Sequence, residues 1–443
     1  MKHLHFIGIE GSGASAVAAL AKEHGYRVSG CDRNLTGEYS SLFSPEAVFV
    51  EHSIEHLKEV DAVILSPAIE IADPNNTELK AARDMNLEIM TWQQFLGRVL
   101  AKDKQVIAVC GTHGKSTTTA MMAKILEDAD MDPTVVLGAK VREWGRNYRV
   151  GKSKFLVVEA DEYNNNFMSY HPNLTIVTNI DADHLEFFKD FEHIEQSFED
   201  FLVKTKDTVI ANMADSHVAE VVKWAMKKSA IEVMDFNKVM VDFDLKLPGE
   251  FNIANAKAAF QAGLLLGIEP GRMQESLNSF TGIGRRFEKL GEKEGIEYYS
   301  DFAHHPREVA VTLEAARQKF PTQKIVLIFQ PHLYSRTKNL FDDFVDVFKK
   351  ASVDQIFITD IFASRENDPG DISSRMLVEN TNMGTVNYVP TVEEAFNQMR
   401  SDRSDKSDKS DKSDKIGLDQ NMVVIVMGAG DIDAITRKHL KNA

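Results

Sequence analysis

The sequence predicts a large α/β protein built on doubly wound, mostly parallel sheets. Short apolar runs alternate with helical patterns along the chain, the arrangement that places strands side by side under covering helices. Two of those runs end in glycine-framed turns that open directly into helices. The 443 residues exceed one core, and at about 150 residues per domain they imply two or three. The expected boundaries are 1–103, 104–281 and 282–443, the first at the charged joint Lys102-Asp-Lys104.

Composition narrows the function classes. A net charge of −16 argues against general binding to nucleic acid or to an anionic membrane. No apolar run approaches the ~20 residues of a membrane span, and Met1-Lys-His-Leu-His leads straight into a strand. The two cysteines, Cys31 and Cys110, follow apolar runs far apart and read as buried thiols of a reducing compartment. A cytoplasmic protein is expected.

Residues 3–9 read as the first strand, followed by Gly8-Ile-Glu-Gly-Ser-Gly13 and a small-residue helix through Glu23. The spacing is G-x-x-G-x-G rather than the dinucleotide G-x-G-x-x-G. Such a turn still presents backbone amides at a helix N-terminus, ready for a diphosphate. A second strand, Tyr26–Gly30, leads to Asp32, whose carboxylate either meets a ribose hydroxyl or caps a turn. Val60–Leu65 is a third strand, ending at Ser66-Pro-Ala68, and Leu87–Met90 a fourth.

The most informative stretch is Val106-Ile-Ala-Val-Cys-Gly-Thr-His-Gly-Lys-Ser-Thr-Thr-Thr119, which reads as buried strand, tight loop and helix. It ends Gly114-Lys-Ser116, as a phosphate-binding loop does. Gly111 and Gly114 let backbone amides converge on an anion; Lys115 reaches outer phosphates, and the Ser116 hydroxyl suits magnesium. Lys115 lies on a loop, so its removal is expected to leave the fold intact. The strict phosphate-loop pattern asks for glycine where Val109 stands.

Phe155–Glu162 is a strand whose carboxyl end carries Glu159, Asp161 and Glu162, with Glu159 placed to hold magnesium opposite the loop. Leu174–Thr178 leads to Asn179-Ile-Asp-Ala-Asp-His184, where His184 suits either a second metal position or a structural hydrogen bond. Asp207–Asn212 is a further strand. Asn252 and Asn255 are three apart on one helix face and either cap the helix or read a purine edge. Beyond Gly282, Ile325–Phe329, Ile356–Asp360 and Val423–Met427 read as strands of another doubly wound sheet. The Ser-Asp-Lys repeat of 401–415 has no apolar residue to bury and reads as a flexible surface loop between helix 393–400 and the last strand.

These stretches together resemble the Mur ligases, the ATP-dependent amide ligases of peptidoglycan precursor synthesis. The resemblance runs over nearly the whole chain: Gly8–Gly13, Gly111–Thr118, Glu159–Glu162, Thr178–His184, Leu247–Asn255, Gly284-Arg-Arg-Phe287, Asp301-Phe-Ala-His-His-Pro306 and Phe329-Gln-Pro-His-Leu-Tyr-Ser-Arg336. The missing glycine at Val109 is usual for this family's loop. The resemblance implies a Rossmann-like UDP-binding domain, a central P-loop ATPase and a C-terminal Rossmann-like α/β domain that brings the amino acid and closes over ATP. It implies ATP and Mg2+ as cofactors, UDP-N-acetylmuramate and L-alanine as partners, and a monomer or weak homodimer. ATP would phosphorylate a carboxylate, and an amine would displace the phosphate.

Residue by residue, the resemblance assigns the nucleotide to Gly111, Thr112, His113, Gly114, Lys115, Ser116, Thr117 and Asn255, with Arg286 and Asp301 bridging from the C-terminal domain. It assigns magnesium to Ser116, Glu159 and His184. The UDP-sugar goes to Gly11, Ser12, Gly13, Asp32 and Ser66, and the amino acid and reacting carboxylate to His304, His332 and Arg336. Two departures qualify the branch. Many alanine-adding members read Gln-Pro-His-Arg, whereas Leu333 follows His332 here, and Asp-Phe-Ala-His-His-Pro resembles the tripeptide-recycling branch. Branches that add later residues carry a carbamylated lysine fourteen positions after the metal histidine; Phe198 stands there. Outside the family, a non-catalytic nucleotide switch and an NAD-linked dehydrogenase remain as readings. The first gives His184 and His304 no role, and the G-x-x-G-x-G spacing and second phosphate loop count against the other.

Overall fold

A computed structural model describes residues 1–33, 35, 39–183, 187–364, 366–407 and 421–441. The chain divides into two compact units, Met1–Lys246 with Asn252–Ile283, and Leu247–Phe251 with Gly284–Ala443.

The first unit contains two sheets. One has five strands in the order Val48–Val50, Arg27–Asp32, His3–Ile7, Ala62–Leu65, Glu88–Thr91, all parallel. The central strands His3–Ile7 and Ala62–Leu65 are buried along their whole length, as strands covered on both faces are. The order reverses beside His3–Ile7, and such a switch point opens a crevice at the carboxyl ends of the strands. The second sheet has seven strands: Glu232–Asp235, Thr208–Ala211, Leu174–Val177, Gln105–Cys110, Phe155–Glu159, Thr134–Val141 and Arg146–Arg149. Only the last pair is antiparallel. Phe6, Phe95, Val106, Phe167, Phe198 and Val209 belong to one apolar core that runs through both sheets.

The second unit carries a six-stranded sheet in the order Glu288–Lys293, Ile296–Asp301, Met422–Met427, Lys324–Phe329, Gln355–Ile358, Val386–Tyr388. Its first two strands form an antiparallel hairpin turned by Glu294 and Gly295, at φ 55° and 76°. Positive φ at both turn positions matches the right-handed twist of the strands it joins.

The doubly wound α/β class is as expected, and every expected strand is present within two or three residues of its expected bounds. The two antiparallel hairpins were not foreseen, because Arg146–Arg149 and Glu288–Lys293 are polar edge strands without an apolar run. The helix expected at 393–400 extends over Val392–Ser407, into the start of the Ser-Asp-Lys segment, which has no proline or glycine to stop it. Residues 408–415 of that segment lie outside the described residues. Cys31 and Cys110 are free and buried, as expected. Among the described residues no helix is long and apolar enough to cross a membrane.

Candidate active site

Three neighbouring strands of the second sheet, Leu174–Val177, Gln105–Cys110 and Phe155–Glu159, place their carboxyl ends side by side. The phosphate loop leaves the middle one. Gly111 has φ 125° and Gly114, which caps helix Lys115–Asp128, has φ 85°; both are conformations that side chains rarely tolerate. The loop is pinned from the strand beside it. The Thr178 hydroxyl donates to the His113 carbonyl at 2.6 Å, and the Asn179 side chain brackets His113 by accepting from its N–H and donating to its carbonyl, each at 2.9 Å. The buried Thr112 takes the Asp181 amide on its hydroxyl at 2.8 Å and gives its own amide to the Asn179 carbonyl. Thr117 is buried in the first turn of the helix.

The functional side chains meet across this frame. Ser116 Oγ donates to Glu159 Oε2 at 2.8 Å, and the same oxygen accepts the Gly138 amide at 2.7 Å. Lys115 Nζ folds back onto the Gly111 and Thr112 carbonyls, at 2.8 and 3.1 Å, and onto Glu162 at 2.9 Å. Burial alone would lower the Lys115 pKa, but Glu162, Asp161 and Glu159 outweigh it and hold the ammonium above its ordinary range. His113 Nε2 lies 3.4 Å from Asp181. His184 falls outside the described residues. The hydroxyl of Ser116 and the carboxylate of Glu159 are two hard oxygen donors in contact, a pair that suits magnesium.

Asn255 is 6% exposed and stands against the loop: a Cβ at Gly114 would meet its Oδ1 at 2.5 Å. Helix Glu250–Leu265 begins before Asn252, so neither asparagine is an N-cap. Polar side chains inside a helix favour competing backbone bonds. Both are buried, and Asn255 is the one that lies beside the loop.

In the first sheet, the Gly8–Gly13 turn, Asp32 and Ser66 follow three adjacent strands. Gly11 caps helix Ser12–Glu23, and a Cβ at Gly13 would collide with the Trp92 ring at 2.3 Å. The Ser12 carbonyl accepts from Asn147 Nδ2 at 2.6 Å, and Ser66 Cβ lies 2.8 Å from where Gly8 would carry one. Asp32 accepts the amides of Glu10 and Arg33, at 3.0 and 2.8 Å, so it caps the glycine turn, one of its two expected roles.

In the second unit the carboxyl ends of Ile296–Asp301, Met422–Met427 and Lys324–Phe329 are adjacent. Asp301 is buried, and its two oxygens accept the Phe287 and Ala303 amides at 2.8 Å, which fixes the turn carrying Arg286. Burial raises its pKa against the pull of Arg286. Arg286 lies 3.5 Å from Glu308 and 5.6 Å over the Phe302 ring. His304 and His332 face each other edge-on at 5.9 Å, and Arg336 reaches within 3.5 Å of His332 Nδ1. Leu333 is buried at φ 70°, a strained backbone for a leucine, and it leads into the helix that carries Arg336. Residue-type reasoning missed Glu162 as the lysine's partner, and Thr178 and Asn179 as the loop's anchors. The acids after Phe155–Glu159 were the available signal for the first. Phe198 is fully buried, edge-to-face with Phe167, so a core aromatic fills that position.

Three doubly wound sheets, one with a phosphate-type glycine loop at its strand carboxyl ends, are the framework of a class of nucleotide-dependent α/β enzymes. Three family models match in succession: "Mur ligase family, catalytic domain" over residues 3–104, "Mur ligase middle domain" over 109–239 and "Mur ligase, glutamate ligase domain" over 285–430. The chain belongs to the Mur ligase family, as the sequence motifs imply, and has its three-domain α/β architecture. It is 33% identical to the UDP-N-acetylmuramate–L-alanine ligase of Alkaliphilus metalliredigens, over 99% of this chain and 96% of that one. It is 37% identical to the protein of the same name from Caldanaerobacter subterraneus, over 85% and 87%. The solved UDP-N-acetylmuramate–alanine ligase of Thermotoga maritima superposes with TM-score 0.79 at 26% identity, covering 100% of this chain and 99% of that one. A murein peptide ligase from Psychrobacter arcticus shares the fold, with TM-score 0.68 at 20% identity over 100% and 98% of the chains.

Proposed function

We propose that the chain joins L-alanine to the lactyl carboxylate of UDP-N-acetylmuramate, converting ATP to ADP and phosphate, in a cytoplasmic step of peptidoglycan precursor synthesis. The observation that carries this reading is the phosphate loop with Lys115 charged and Ser116 bonded to Glu159, in a chain similar end to end to ligases of that name. The domains are 1–103 for the UDP-sugar, 104–281 for ATP and 282–443 for the amino acid.

A carboxylate is a poor electrophile. One of its oxygens attacks the γ-phosphorus of ATP, the bond to the β-phosphate oxygen breaks, and an acyl phosphate forms. The alanine nitrogen, once deprotonated, attacks the carbonyl carbon; the carbon–oxygen bond breaks and phosphate leaves. Phosphoryl transfer depends on in-line placement and neutralised charge. Gly111–Thr117 amides and Lys115 serve that need, Asn255 reads adenine, and Arg286 adds positive charge on a turn fixed by Asp301. Ser116 and Glu159 would hold one magnesium and His184 would help to hold a second; the ions would screen the phosphate charge. The turn Gly11-Ser-Gly13, Asp32 and Ser66 receive the UDP-sugar. His304, His332 and Arg336 face the amino acid and the acyl phosphate.

The second reading is ligation of a recycled tripeptide to the same UDP-sugar, favoured by Leu333, which supplies no cation where many members of the alanine-adding branch carry arginine. A substrate panel decides between them. Protein with ATP, magnesium and UDP-N-acetylmuramate is offered L-alanine, glycine, L-serine or the tripeptide, and products are read by mass. L-Alanine is expected to be the preferred acceptor; product from tripeptide alone sinks the first reading, and phosphate release indifferent to the UDP-sugar sinks both.

Arg336→Lys keeps the charge but loses the planar fork that binds a carboxylate bidentately. It is expected to raise KM for alanine roughly 10–100-fold, on about 1.5–3 kcal/mol for a charge-assisted hydrogen bond. The KM values for ATP and the UDP-sugar should move far less. If all three rise together, or none does, Arg336 braces its helix and is no alanine clamp.

A further inference from the structure

The five-stranded sheet holds a buried group of side chains that the ligation does not use. His5, Cys31, His56 and Glu78 gather their ligand-type atoms within 4.8 Å of one another. They come from strands His3–Ile7 and Arg27–Asp32, the short turn Ile54–Leu57 and helix Thr77–Asp84. Parallel register sets His5 opposite Ser29, and Cys31 follows two residues on, so all three share one face of the sheet. Glu78 is the hub: its carboxylate lies 2.9 Å from Cys31 Sγ, 2.9 Å from His5 Nε2 and 3.1 Å from His56 Nδ1. His52 Nδ1 stands just outside, 3.2 Å from Cys31 Sγ and 3.3 Å from Glu78. The side chains of His5 and Glu78 are wholly inaccessible, and His56 is 12% exposed.

Hydrogen bonding alone leaves this group incomplete. His5 Nε2 is buried 2.9 Å from the Glu78 carboxylate yet makes no well-aligned hydrogen bond there. The other ring nitrogen is held: Nδ1 meets Ser29 Oγ at 2.8 Å, and that hydroxyl also meets His3 Nε2 at 2.8 Å. An outer hydrogen bond that fixes one imidazole nitrogen and aims the other inward is how metal-binding histidines are oriented. A thiolate, a carboxylate and two neutral imidazoles around a divalent cation sum to zero charge, which removes the penalty of burying the acids. Zinc bonds of about 2.0–2.3 Å in a tetrahedron set ligand atoms roughly 3.3–3.8 Å apart. The separations to Glu78, 2.9–3.1 Å, fall just below that range and every other pair lies within 4.8 Å, so small shifts suffice. Sulfur and nitrogen donors select zinc over magnesium or calcium.

We propose that His5, Cys31, His56 and Glu78 form a structural site for one zinc-type divalent cation, tying two strands, a turn and a helix of the first domain together. His52 supports it from the outer shell. Burial and the neighbouring Glu78 keep the Cys31 thiol protonated without metal, so loading releases that proton as the Sγ–metal bond forms.

The test uses full-length, reduced, chelator-treated protein with magnesium in excess, to occupy the oxygen-donor site at Ser116 and Glu159. One zinc per chain should survive gel filtration and raise Tm by several degrees. Cobalt should give the visible bands of a tetrahedral site and a thiolate charge-transfer band. Cys31→Ser should abolish that band. His56→Gln, at the rim of the group, should shift the visible bands and weaken zinc binding by at least the roughly 10–100-fold that loss of an outer-shell partner costs. Wild-type protein that retains no zinc and shows no charge-transfer band overturns the proposal. So does a band that persists in Cys31→Ser, which would place the thiolate at Cys110. Should Cys31→Ser fail to fold, an unchanged cobalt spectrum and zinc affinity in His56→Gln overturn it equally.

Discussion

Replacing Lys115 with alanine is expected to lower turnover by about 100–1,000-fold, the loss that follows removal of one preorganised electrostatic stabiliser, about 2.7–4 kcal/mol. It should also cost stability, contrary to the expectation from its place on a loop. The side chain is only 12% exposed, and its ammonium faces Glu162, itself 3% exposed, at 2.9 Å. Breaking a buried pair by removing one partner costs on the order of 3–5 kcal/mol, because the remaining charge stays behind. The two effects separate in the double variant Lys115→Ala, Glu162→Gln. A neutral amide no longer requires the cation, so melting temperature should recover in part while turnover stays low. Thermal unfolding and steady-state rates on the two variants test both halves. Single-variant turnover within threefold of the wild type would exclude Lys115 from phosphate handling. Recovery of turnover in the double variant would mean that the single change acted only through folding.

The ion pair also shows what a residue pattern reveals and what it conceals. The strand, glycine loop and helix around Gly111–Ser116 were legible because an apolar run, two glycines and a helical period are local signals. The Ser116–Glu159 contact was legible too, since parallel strands must present their carboxyl ends on one edge. Glu162 was not, because choosing among Glu159, Asp161 and Glu162 depends on how the chain turns after the strand. Asn164 and Asn165, at φ 52° and 56°, shape that turn, and no periodicity encodes it. The zinc-type cluster was hidden for a different reason. His5, Cys31, His56 and Glu78 lie on four separate elements, with none of the short spacings by which metal motifs are read. Asp32 and Asn255 show the intermediate case: each had two readings from sequence, and packing adds only that Asp32 caps the glycine turn and that Asn255 lies inside its helix rather than at its start.

Gly111→Ala should abolish ATP-dependent turnover while leaving most of the fold in place. The residue has φ 125°, where an L side chain is strained by roughly 1–3 kcal/mol before any contact is counted. The contacts are worse. The new Cβ would meet Thr178 Oγ1 at 2.2 Å, the Asn179 carbonyl oxygen at 2.8 Å and the Asn179 amide at 3.0 Å. Two of these are backbone atoms that cannot rotate away. Relief requires the loop to separate from the strand end that pins it, which breaks the Thr178 and Asn179 bonds to His113. The amides proposed to cradle the phosphates then lose their common aim, and a misplacement near 1 Å costs about 100-fold in such a site. Gly145→Ala is the control. It also has positive φ, 63°, but nothing lies within 4 Å of its Cβ position, so it should cost about 1 kcal/mol of stability and no activity. Calorimetric titration with ATP and rates under saturating substrates, run on both variants, separate strain from steric displacement. Equal, mild losses in the two would mean that the loop tolerates a side chain at Gly111, and that its grip on phosphate does not depend on contact with Thr178 and Asn179.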